Sequence, residues 1–117
     1  MGVIMRAIIF ALGLALGLTA GSPLSRAAGA PNVQELLRRC AQGSEWELYC
    51  IGYVSGIGTL MLMNGSLTDF GICSAGTIPC GAMEQAFRNW AEKHPEKWGA
   101  EAHMGVMLAL RETWPCK

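Results

Sequence analysis

The chain has 117 residues, with nine basic and nine acidic side chains and a formal net charge of zero. That length holds one domain, and the lack of any basic patch or charge run argues against nucleic acid or anionic lipid as a partner. Five cysteines are many for so short a chain, and one must be left over from any set of pairs.

The N-terminus carries one positive charge before an uncharged apolar run, Ala7–Ala20 (AIIFALGLALGLTA). The run is too short to cross a bilayer comfortably and suits the apolar region of a secretory signal peptide. Small residues follow, with candidate cleavage after Ala20 or Ala27; a cut after Ala30 is poorer because Pro31 comes next. We therefore expect a signal peptide over 1–27, cut between 20 and 30, and an exported domain over 31–117 with no membrane contact of its own. Cleavage after Ala27 removes Arg6 and Arg26, leaving seven basic against nine acidic side chains and a net charge of −2. Exported compartments are oxidising, so the cysteines read as a disulfide framework.

Four helices are predicted in the exported part. The first is NVQELLRRCA: Asn32 caps it, Glu35 forms the return half of a capping box, and Val33, Leu36, Leu37 and Cys40 share one face. Gly43 ends it. Ser44 and Glu47 repeat the capping box for the second helix, which Asn64-Gly65 stops. Its stretch Leu48–Met63 holds no charged residue, and a helix apolar all round is expected at the centre of the molecule. Gly52, Ser55, Gly56 and Thr59 form a small-residue stripe, read as the place where a neighbouring helix approaches closely.

A long loop, GSLTDFGICSAGTIP, follows. Connections of this length are more often functional than passive. Its Leu67, Phe70 and Ile72, expected to be exposed, together with Asp69, are the candidate partner-binding residues. The third helix, CGAMEQAFRNWAEKH, puts Ala82, Met83, Ala86, Phe87 and Trp90 on its apolar side, with Glu84, Arg88, Glu92 and Lys93 toward water. Pro95 breaks it. The fourth runs from about Ala100 to Thr113, with Ala102, Val106, Ala109 and Leu110 on one side and Pro115 blocking its extension. No segment has strand periodicity, so the class is all-α: a small disulfide-stabilised four-helix bundle.

If the helices alternate up and down, as short connections favour, Cys40 lies beside Cys50. Cys73, Cys80 and Cys116 then gather at the opposite end, where either Cys73 or Cys80 takes Cys116. Such a bond would pin the C-terminus to the long loop.

Chemistry is sparse. Neither His94 nor His103 has metal-ligand spacing to a cysteine or carboxylate. Cys80, at a helix N-terminus, serves equally well as a disulfide partner, a capping residue or a nucleophile. Trp46, Trp90, Trp98 and Trp114 stand at helical spacing or helix ends, where they read as core and staple residues. The chain is expected to be no enzyme, with no catalytic residue, cofactor or metal ligand.

LLRRC, then CIGYVSGI, a loop cysteine, a helix ending HPE, and ALRETWPC together resemble the exported Rap/Tai-type immunity family, whose members protect against type VI secretion peptidoglycan amidases. The resemblance runs from Glu35 to Cys116. It implies a small periplasmic helical protein, often a homodimer, that binds a cognate amidase effector and blocks it without catalysis. The family cysteines correspond to Cys40, Cys50, Cys73 and Cys116, which makes Cys80 the extra one. The chain departs from the family at Ala75, where a proline is usual.

A second class, periplasmic acid-stress chaperones or general helical binding modules without a toxin partner, remains the alternative. It calls for clustered carboxylates and a large apolar surface to expose. The acidic residues here are scattered, and the second helix is expected to be buried.

Overall fold

A computed structural model describes residues 29–117, so the expected signal peptide lies outside the described residues. Four α-helices follow in order: α1 (Val33–Cys40), α2 (Ser44–Met63), α3 (Cys80–Lys93) and α4 (Ala102–Thr113). Two short 3₁₀ turns, Leu67–Phe70 and Pro95–Lys97, sit in the connections. Strand-like pairing is limited, among the described residues, to two isolated bridges, Asn32 with Glu101 and Ile72 with Pro115. The fold is an all-α bundle held by two disulfides.

The helix starts differ in chemistry. Asn32 caps α1 by accepting from the Glu35 amide at 2.8 Å, but the Glu35 carboxylate turns outward to pair with Arg39, so half of the expected box forms. Ser44 is the first helical residue of α2 and caps nothing; Gly43 is the cap, and its carbonyl accepts from Trp46 and Glu47. α3 ends at Lys93 with His94 as its cap, because Pro95 disfavours a helical residue before it.

The centre belongs to α3, not α2. α3 packs against all three other helices and buries Met83, Glu84, Ala86, Phe87, Trp90 and Ala91 of its 14 residues. Phe87 is fully enclosed, a burial that contributes about 1.5–3 kcal/mol for a side chain of its kind. α2 buries only Cys50, Val54, Gly58 and Met61 of its 20. Leu48 and Met63 on its outer face are 75% and 77% exposed. The expectation of a buried α2 is therefore wrong: a 20-residue helix has more apolar circumference than three short neighbours can cover. Glu84, expected to face water, is instead buried. Trp46, expected in the core or as a staple, is exposed, with the Arg39 guanidinium 5.3 Å from its ring.

Close helix approach uses other glycines than the stripe suggests. A Cβ added to Gly52 or Gly56 meets nothing within 4 Å. One added to Gly105 would lie 2.6 Å from Val33 Cγ2 and 3.2 Å from the Trp90 ring. The missing side chain on α4 is what lets α1 seat against it.

The helices also cross rather than strictly alternate. The start of α1 docks on the start of α4, through Val33 N–H to the Ala100 carbonyl at 2.9 Å and Ala102 N–H to the Pro31 carbonyl at 3.0 Å. In a strict up-and-down bundle those two ends lie far apart. The Trp98 indole secures the segment between α3 and α4 by donating to the Ala91 carbonyl at 2.8 Å.

Candidate functional site

The α2–α3 loop is the longest connection between the helices, and every part of its first half is tied down. Asn64 closes α2 by returning both its amide and its side-chain Nδ2 to the Leu60 carbonyl. Ser66 and Asp69 then form a reciprocal capping box around the turn Leu67–Phe70. Asp69 accepts from Ser66 N–H at 2.7 Å and Ser66 Oγ–H at 3.0 Å. These bonds favour the charged carboxylate and hold its pKa below the usual value. Gly71 reverses the chain at φ 77°, a left-handed conformation that favours glycine.

From Gly71 the loop runs against the C-terminus. Cys73 N–H donates to the Trp114 carbonyl at 2.7 Å, and Cys116 N–H donates to the Gly71 carbonyl at 3.3 Å. The Cys73–Cys116 disulfide, spanning 43 residues of sequence, closes this clasp. Cys40 pairs with Cys50, and Cys80 keeps a free, exposed thiol. The loop tip Ala75–Thr77 is exposed before Ile78 turns back into the core.

The four candidate contact residues separate. Phe70 and Leu67 are half-buried, each with its inner side on the core. Asp69 is exposed, but its carboxylate is already engaged by Ser66. Ile72 corrects the expectation: it is 1% exposed, because its bridge to Pro115 folds the C-terminal strap over it. It supports the loop from beneath and offers no contact surface.

Two recesses flank the loop. One, of about 480 Å³, lies between Phe70, the α2 residues Ile57, Leu60 and Met61, and the α4 residues His103 and Met107. Its walls are almost wholly apolar. The other, of about 440 Å³, lies between the tip Ser74–Ile78, Leu62, Leu67 and Met83. The sequence reading missed the α2 and α4 walls. The charge-free run Leu48–Met63 was the available signal, since it exceeds what a small core can absorb.

His94, which the sequence leaves without metal-ligand spacing, is engaged by two carboxylates. Its Nδ1 lies 3.0 Å from Glu96 and its Nε2 3.3 Å from Glu112, and the Glu96 hydrogen bond leads in raising its pKa above 6.5. The site thus presents a partly apolar relief beside a hydrogen-bonded, disulfide-clasped loop.

Comparison with curated proteins and with solved structures gave no match. The family model described as Rap1a immunity proteins matches residues 32–116, from the cap of α1 to the cysteine of the clasp. The chain belongs to the Rap1a immunity protein family.

Proposed function

We propose that the protein is a periplasmic immunity protein that binds and blocks a cognate peptidoglycan amidase delivered by type VI secretion, with no catalysis of its own. Family membership supports the immunity role; the carrying observation for the site is the Cys73–Cys116 clasp. Ordering a loop of this length on binding would consume affinity. Here the ordering cost is met on folding, so little remains to be lost on association. Phe70, half-buried at the mouth of the apolar recess, is the anchor.

Inhibition of an amidase encoded next to this gene is the test. The wild-type protein inhibits stoichiometrically, and Phe70→Ala weakens inhibition by about 10-fold or more with the helical circular dichroism unchanged. Absence of binding by the wild type to any such amidase would sink the reading.

The outer face of α2, with exposed Leu48, Leu60, Leu62 and Met63, is the surface through which a homodimer forms. Between Leu48 and Met63 it carries no charge, the exposed Glu45 and Glu47 being confined to the first turn of the helix, and the Gly52 and Gly56 positions leave room for close approach.

The same exposed face favours a second reading, a helical stress or binding module that holds apolar clients. Acid release fits the loop poorly. Asp69 has a depressed pKa, so its capping contribution is present above 3.8 and is lost only as pH falls through a still lower value. Light scattering at pH 7 and pH 5 separates the readings. A stable dimer that fails to suppress client aggregation supports immunity, and an acid-dependent monomer that suppresses it supports the module.

A further inference from the structure

Glu84 is the buried charged side chain of the described core, 8% exposed, and the immunity role gives it no task. Its Oε1 lies 3.6 Å from Cys50 Sγ, yet a disulfide sulfur has no hydrogen to donate. The Arg88 Nη1 stands 3.5 Å from the same oxygen, a long contact, while the buried Arg88 Nε has no acceptor at all. A buried carboxylate so weakly held costs stability unless another partner is available.

Cys40, Cys50 and Glu84 come from α1, α2 and α3, are all buried, and bring one ligand atom each within 4.8 Å of the others. We propose that, once the Cys40–Cys50 disulfide is reduced, these three residues, with water as the fourth ligand, form a site for a thiophilic divalent cation of the zinc type. A tetrahedral zinc with Zn–S about 2.3 Å and Zn–O about 2.1 Å has ligand–ligand edges of roughly 3.6 Å for S···O and 3.8 Å for S···S. The Cys50–Glu84 separation of 3.6 Å already meets the first. The two cysteine Cα atoms, 5.1 Å apart, allow the second by side-chain rotation alone.

The chemistry balances with a dithiol as reductant. It breaks the S–S bond, passes two electrons and two protons to the cysteine sulfurs, and leaves as its own disulfide. Metal binding then releases both thiol protons. Two thiolates and a carboxylate exceed the charge of the cation by one, and Arg88 beside Glu84 offsets that excess. The disulfide joins α1 to α2 alone; the metal would add α3. An exported chain that has not yet oxidised thereby has a second means of closing this corner, whether or not it neutralises an amidase.

Cobalt(II) is the probe, added anaerobically to the mature chain after reduction with a phosphine and removal of the reductant. The reduced wild type and Cys80→Ser take up one equivalent, with thiolate-to-cobalt charge-transfer and tetrahedral visible bands that zinc abolishes. The oxidised protein shows none. Glu84→Gln weakens uptake at least about 10-fold, and Cys50→Ser removes it although Cys73, Cys80 and Cys116 remain. Unchanged bands in either variant overturn the site. So does failure of the reduced wild type to bind, whether it is helical or not, because the metal is assigned the closing of this corner itself.

Discussion

The two disulfides are the same bond placed in opposite surroundings. Cys40–Cys50 lies inside the core, against Glu84 of a third helix. Cys73–Cys116 lies at the surface, where both cysteines are exposed. The first links helices that apolar packing already holds, through Val33, Leu36 and Val54. The second holds a loop and a terminus that have little packing of their own and rely on a few backbone hydrogen bonds. A covalent bond adds most order where non-covalent contacts are fewest, so the clasp shapes the candidate surface and the buried bond shapes the core.

Removing the clasp is the most damaging test of that contrast. Replacing Cys73 and Cys116 by alanine opens a loop of 43 residues, worth about 4 kcal/mol in the chain-entropy model. Urea unfolding should show a loss of that order, and amidase inhibition should fall further than stability does because the loop is released. Retained inhibition would show that the clasp does not shape the site. The matching change at Cys40 and Cys50 opens only 10 residues, about 3 kcal/mol. It should lower the urea midpoint while leaving inhibition by the folded fraction intact. Equal loss of inhibition from both pairs would erase the distinction.

The smallest effect concerns the polar contacts near the clasp. His94 reaches Glu112, four residues before Cys116, as well as Glu96. Its pKa is raised, so its contribution is fully present below 6.5 and is lost as pH rises through the folded-state value. The thermal midpoint of the wild type should fall slightly between pH 6 and pH 8 relative to His94→Gln. Both carboxylates it meets are exposed, so the shift is a minor one. A variant that tracks the wild type at both pH values would remove His94 from the account.

Much of the candidate site was legible, though for mixed reasons. The loop stood out by length, and its Gly71, Asp69 and Ser66 carry local turn chemistry that acts within a few residues. Phe70 and Ile72 looked alike in sequence because both are apolar loop residues. Only the C-terminal strap, more than forty positions away, separates them by covering Ile72. The cysteine pairing is instructive in another way. The up-and-down argument left Cys73 and Cys80 open, and the structure chooses Cys73 although the helices do not strictly alternate. Spacing restricted the choice even where the assumed topology was too simple.

By itself the sequence determined four helices and their approximate ends, because caps, prolines and 3.6-residue periodicity act locally. It also carried the family signature, which is written in cysteine and motif spacing. Tertiary structure alone decided which helix lies at the centre, which glycines accept a neighbour, and where Glu84 goes. Those outcomes depend on how much apolar circumference each helix has relative to the partners available to cover it. α2 has more than its neighbours can bury and keeps an apolar face in water. α3 is shorter, so its neighbours cover six of its 14 residues, and even a glutamate lies in the core beside Cys50, 34 residues away in sequence.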